Sequence, residues 1–212
     1  MAFFIKNYVF CAADYAVPHK NDQKEDDCVM NYGNIKYNAI EDGIGCRTVL
    51  FVSGCRHHCK GCFQPETWDF NFGEKYTNET ENEIINSLRP KWIHGLTLLG
   101  GEPFEPENQE TVLSLVKKIR SELPEKSIWA YSGYTFEELT NPSSICYTKY
   151  TSELLKNTDV LVDGEFKLDL KSLIIPYRGS TNQRVIDVPA SLSVGHVILS
   201  PYNDKHSPRQ IT

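Results

Sequence analysis

Apolar residues fall in four short blocks along this chain, with amphipathic stretches between them. "TVLFVSG" (48–54) is a continuous apolar run closed by glycine, the pattern of a strand buried on both faces. "GLTLLGG" (95–101), "SIWAYSG" (127–133) and "TDVLVDGEF" (158–166) repeat that pattern. "NETENEIINSLRP" (78–90) predicts a helix: Asn78 or Thr80 can cap it, acids fill its first turn, and Pro90 lies beyond its end. "PENQETVLSLVKKIRSEL" (106–123) has a proline near its start and sets Val112, Leu115, Val116 and Ile119 on one helical face. "FEELT" and "YTSELLKN" are shorter helical pieces, and "HVILS" near the end offers a further strand. Strand and helix in alternation predict an α/β fold whose sheet is mostly parallel, with right-handed crossovers.

Parallel strands gather their following loops at one edge of the sheet, where sites form. Cys55 follows the first predicted strand, Gly100, Gly101 and Glu102 the second, Tyr131 and Ser132 end the third, and Asp163 ends the fourth. Four polar loops are therefore expected on one rim.

Composition narrows the function classes. A chain of 212 residues, 40% hydrophobic and 24% charged, is that of an ordinary globular protein with room for one domain. A net charge of -6 argues against a nucleic-acid partner. No run approaches the roughly 20 apolar residues of a membrane span. The opening twenty residues resemble an export signal only faintly, because the apolar part is short and Asp14 interrupts it. Residues 18–29 are polar and highly charged, as in a linker. Met30 is then either a second start, with 1–29 an upstream extension, or preceded by a short N-terminal decoration. The expected division is an extension at 1–29, one domain at 30–190 and a C-terminal tail at 191–212.

The densest chemistry is "GCRHHCKGCF" (54–63), with Cys55, Cys59 and Cys62 in a Cys-x3-Cys-x2-Cys spacing. Seven cysteines is an odd count, and three so tightly bunched suit a metal site in a reducing cytoplasm better than a disulfide framework. A structural zinc site wants four closed ligands, and no second pair follows. A [4Fe-4S] cube accepts this spacing and would keep one iron open for a small molecule. His57 and His58 are expected to be solvated loop residues, with at most one facing the cluster. Cys11, Cys28, Cys46 and Cys146 read as ordinary small residues.

The cysteine spacing followed by the aromatic Phe63, with "GGEP" (100–103) at the end of the second strand, resembles the radical S-adenosylmethionine family. The ordered set "GIGCRTVLFVSGCRHHCKGCFQPETW", "LTLLGGEPF", "IWAYSGYTFEEL", "DVLVDGEF" and "YRGSTNQRVIDV" resembles, within it, the activating proteins of anaerobic (class III) ribonucleoside-triphosphate reductases, over about residues 32–188. The resemblance implies a partial (β/α) barrel, open on one side. It also implies S-adenosylmethionine on the open iron, a reductive cleavage of that cofactor, and transfer of a hydrogen atom from a glycine of the partner reductase. Cys55, Cys59 and Cys62 would ligate iron, with no catalytic side chain beyond the cluster and cofactor ligands. Phe63, Gly100, Gly101, Glu102, Tyr131, Ser132 and Asp163 would bind cofactor, and Arg178, Asn182, Gln183 and Arg184 are candidates for the partner. The electron would come from an external flavodoxin- or ferredoxin-type donor. Homodimerisation and stable assembly with the reductase are both open.

Two alternatives stand beside this reading. One is an activase for a different glycyl-radical enzyme, of the formate-lyase type. The other is a zinc-holding interaction module, which would be colourless and hold zinc without iron.

Overall fold

A computed structural model describes residues 30–203. The expectation for 1–29 and the end of the expected tail lie outside the described residues. Strand β1 (Asn31–Ala39) leads into β2 (Cys46–Val52), the first of the apolar runs. A two-residue strand β3 (Glu74–Lys75) precedes helix α1 (Asn78–Leu88), and β4 (Ile93–Gly100) follows it. Helix α2 (Gln109–Glu122), strand β5 (Ser127–Tyr131), helices α3 (Phe136–Leu139) and α4 (Thr151–Lys156), and strand β6 (Val160–Asp163) continue the alternation. Strand β7 (Arg184–Asp187) and helix α5 (Val188–Val194) close it.

These strands form one open seven-stranded sheet in the order β3-β1-β2-β4-β5-β6-β7. The four predicted strands make its parallel centre, while β1, β3 and β7 add antiparallel edges. The sheet is thus mixed, and the expectation of a mostly parallel sheet holds only at its centre. The stretch containing "HVILS" contributes a single bridge, Leu199 to Ile186. The cap of α1 is Thr77, which trades side-chain and backbone hydrogen bonds with Thr80, one residue earlier than the sequence suggested.

The pleat sends alternate residues to opposite faces. Leu50, Val52, Leu96, Leu98, Ile128, Ala130, Leu161 and Ile186 face one side and meet the buried side chains of α1, α2, α3, α4 and α5 in the main core. Each such leucine or isoleucine, fully buried, contributes about 1.5–3 kcal/mol. Trp129, Val160, Val162 and Val185 face the other side, where Tyr177 and Tyr202 pack on them and none of the described α-helices does. That face is closed at its lower end by Arg47, which is 1% exposed and donates to Thr97 Oγ1, Ile44 O, Leu96 O, Ser127 Oγ and Ser127 O. Its upper end, where the parallel strands finish, is left for a site. No described helix is long and apolar enough to cross a membrane.

Candidate active site

The chain leaves β2 through Ser53 and Gly54 and reaches Cys55 at once. Gly54 has φ 95°, a conformation open to glycine, and a Cβ there would lie 2.2 Å from the Phe70 ring. Its N–H donates to Thr67 O at 2.8 Å, and the N–H of Cys55 to Trp68 O at 3.1 Å. The cysteine loop is therefore folded back onto the turn Pro65–Trp68. Cys62 N–H donates to Cys59 O at 3.0 Å, which fixes the second half of the motif.

All three thiols border a single cavity of about 540 Å³ on the helix-free side of the sheet. The other described cysteines, Cys46 and Cys146, are free thiols away from it. Burial pushes the Cys55 thiol up to about 12, with Glu102 adding to the effect, and burial also raises Cys59. Such thiols stay protonated unless a positive centre binds them. Backbone N–H groups face each sulfur: His57 and His58 at Cys55 and Phe166 at Cys59, where they favour the anion without outweighing burial, and Gln64 at Cys62, at 3.4 Å. Among the described residues no group of three or more His, Cys, Asp or Glu is arranged around a single metal ion. Three buried or half-buried thiols on one wall, each met by main-chain N–H donors and facing open volume, suit an iron–sulfur cluster.

Glu102 is 1% exposed and lines the same cavity. Its Oε1 accepts from Phe104 N–H at 2.9 Å and its Oε2 from Gly133 N–H at 2.6 Å. Beside it sits His57, one of the two adjacent histidines of the cysteine motif. Its side chain is 10% exposed, with Nε2 3.5 Å from Glu102 and Nδ1 2.9 Å from Glu165. Burial opposes its charge, but the two carboxylates outweigh burial and lift the imidazole to about 9, so it is a cation at neutral pH. His57 is not the solvated loop residue expected; His58 is exposed and lies against Trp68. Two unforeseen residues brace the loop. Glu105 is fully buried and accepts from the Arg56 N–H at 2.7 Å, and Asn108 donates to Ser53 O and Glu102 O, both at 2.9 Å.

The structure brings most of the other named residues to this cavity. Gly100, Gly101, Tyr131, Ser132, Arg178 and Gln183 line it, as does Phe63, which is 59% exposed and packs on Phe166. Asp163, Asn182 and Arg184 are not on its wall. Arg178 is engaged with Gln183 O and with Asn203, and Asn182 donates to Glu165 O. Asp163 is buried, accepts from the Phe136 N–H at 2.8 Å at the start of α3, and pairs with Arg184, whose guanidinium also reaches Glu137. This pair clamps β6 to β7 and α3. Asp163→Ala should cost on the order of 3 kcal/mol, because it strips a buried carboxylate from its cation and from a helix-start N–H. Urea unfolding measures that loss; a stability within 0.5 kcal/mol of the parent, roughly the scatter of a surface change, would contradict it.

Comparison with known proteins agrees with the cysteine chemistry. Residues 41–186 match a family described as a 4Fe-4S single cluster domain. The anaerobic ribonucleoside-triphosphate reductase-activating protein of Enterobacteria phage T4 is 39% identical over 156 residues, covering 74% of this chain and 93% of the phage protein. Proteins of the same name from Vibrio cholerae and Escherichia coli K12 are each 41% identical, over 156 and 158 residues, covering 73% and 74% of this chain and 96% and 97% of their own lengths.

Proposed function

The chain belongs to the family of anaerobic ribonucleoside-triphosphate reductase-activating proteins and contains a 4Fe-4S single cluster domain, and on that premise we propose that it is a radical S-adenosylmethionine activase acting on a glycine of such a reductase. The observation that carries the reading is the shared cavity: Cys55, Cys59 and Cys62 on one wall, the Gly100–Glu102 turn on another. Bound there, the cluster would deliver one electron to the sulfonium of S-adenosylmethionine, giving methionine and a 5′-deoxyadenosyl radical that takes one hydrogen atom from the partner's glycine.

The chain's own residues would bind, orient and exclude water. Cys55, Cys59 and Cys62 would hold the cluster as thiolates, with main-chain N–H groups directed at their sulfurs. Glu102 retains free lone pairs after its two backbone bonds, with His57 Nε2 3.5 Å away, so it can accept from the cofactor's ammonium group. Gly100 and Gly101 let the main chain pass close to the cofactor. Tyr131, Ser132 and Phe63, all on the cavity wall, would wall off the adenosine. Arg178 and Gln183 stand at the wall nearest the β7 loop and would meet the partner. Asn182 and Arg184 would act from behind it, through Glu165 and Asp163. The open sheet, with helices on one face and the cavity on the other, is read as the partial (β/α) barrel of that superfamily.

No second cysteine cluster occurs among the described residues, so the electron is assigned to an external flavodoxin- or ferredoxin-type donor. The five cysteines among the described residues are free thiols, which suits work in a reducing cytoplasm. The test is to mix the iron-loaded chain, dithionite and S-adenosylmethionine with an anaerobic ribonucleoside-triphosphate reductase, without oxygen. A glycyl-radical doublet in electron paramagnetic resonance is the expected result. Its absence, with the cofactor cleaved, would remove the reductase from the assignment.

A further inference from the structure

Residues 170–181 form an arm beside the cavity. Thr181 N–H donates to Leu170 O at 2.9 Å, Ser172 N–H to Gly179 O at 3.1 Å, and Lys171 bridges Ser180 in antiparallel fashion. Leu173 and Ile174, next to each other near its tip, are 87% and 79% exposed. Single exposed aliphatic residues are ordinary, but here several fall within one short segment. Leu168 and Leu170 extend it, and Leu168 lies against Gly61 in the cysteine loop. Lys171 reaches across to the Phe63 ring, 5.0 Å from its centroid. The exposed patch thus runs from the arm to the cysteine loop along one side of the cavity mouth.

We propose that this rim, centred on Leu173 and Ile174, is the docking surface for the peptide segment of the partner reductase that carries the hydrogen donor. The inference rests on the function proposed above. What selects this occupant is continuity: Leu173 is both exposed and part of the cavity wall, together with Ser172 and Ile175. Anything seated on Leu173 and Ile174 lies over the mouth. A main-chain Cα–H bond must be carried in on a peptide, and apolar side chains of that peptide would have this rim to rest on. A small-molecule substrate has no use for such a lip. A second copy of this chain seated there would block the entrance that the reductase needs.

The test uses the full iron-loaded chain carrying Leu170→Ser and Ile174→Ser together, two exposed positions of the arm that are off the cavity wall. Both side chains are surface residues, so folding and iron content should match the parent. Cleavage of S-adenosylmethionine with dithionite, measured without reductase, should stay within twofold. Affinity for the reductase, measured by sedimentation, should fall at least tenfold. Glycyl-radical yield should fall with it at low reductase concentration and recover at high concentration, a change in KM rather than kcat. Ile145→Ser, at an 83% exposed position off the cavity wall, should alter none of these. Unchanged reductase affinity in the double variant overturns the proposal. So does a parent that is dimeric through this rim, with the variant monomeric and still binding reductase. Because dithionite replaces the natural donor, a defect seen only with flavodoxin also overturns it. Binding is read separately from cleavage, so a parent that cleaves no cofactor defeats the functional reading while the affinity still decides the docking.

Discussion

Cys59→Ala should leave the anaerobically purified chain colourless, with iron falling from about four atoms per chain to near zero. Cys59 is half-buried in a loop, so its truncation should not unfold the sheet, and far-ultraviolet circular dichroism should match the parent. What is lost is one of three anchors. Two thiolates cannot hold a cube whose fourth iron has no protein ligand, and no other described cysteine reaches the cavity to replace it. Cleavage of S-adenosylmethionine and glycyl-radical formation should drop below detection. A brown variant with parental iron would show that the three thiols do not act together.

Gly101→Val should do nearly as much damage by a different route. A Cβ at Gly101 would lie 2.5 Å from Gly54 O and 2.9 Å from Thr67 O. Both are backbone atoms and cannot swing aside. The Gly101 N–H donates to Val52 O at 2.7 Å and the Glu102 N–H to Gly54 O at 2.8 Å, so the turn after β4 is fastened to the start of the cysteine loop. Valine must push the two apart, carrying Glu102 and Cys55 with them. Overpacking of this kind costs about 1–3 kcal/mol, which for a chain of this size lowers Tm by roughly 2–12 °C. Iron retention should fall below half. Gly164 offers a contrast, since a Cβ there meets nothing closer than 3.9 Å and carries only the cost of its positive φ. Full stability and full iron in Gly101→Val would refute the close approach.

The sequence made the centre of the sheet legible because those strands are buried on both faces and read as unbroken apolar runs. It hid the edges. Most of β1 is half or fully exposed and polar on alternate residues, β3 has two residues, and β7 has four. Such segments gain their order from a neighbouring strand rather than from their own pattern. The cysteines and Glu102 were legible because spacing and flanking glycines mark them. His57 was not, since two adjacent histidines carry the same information. The choice is made by Gly133, distant in sequence, where a Cβ would sit 2.4 Å from the His57 ring. Arg184 reads from the sequence as a candidate for the partner; in the fold Asp163 and Glu137 hold its guanidinium, contacts that its own stretch does not announce. The contributions of Phe166 and Gln64 at the sulfurs come from main-chain N–H groups, which leave no mark in residue type.

The most direct test is product analysis of the iron-loaded chain with dithionite and S-adenosylmethionine, in the absence of oxygen and of any partner. Methionine and 5′-deoxyadenosine should appear in equal amounts, and neither should form with the Cys59→Ala chain. A parent that holds its iron and yields neither product would contradict the account at its centre.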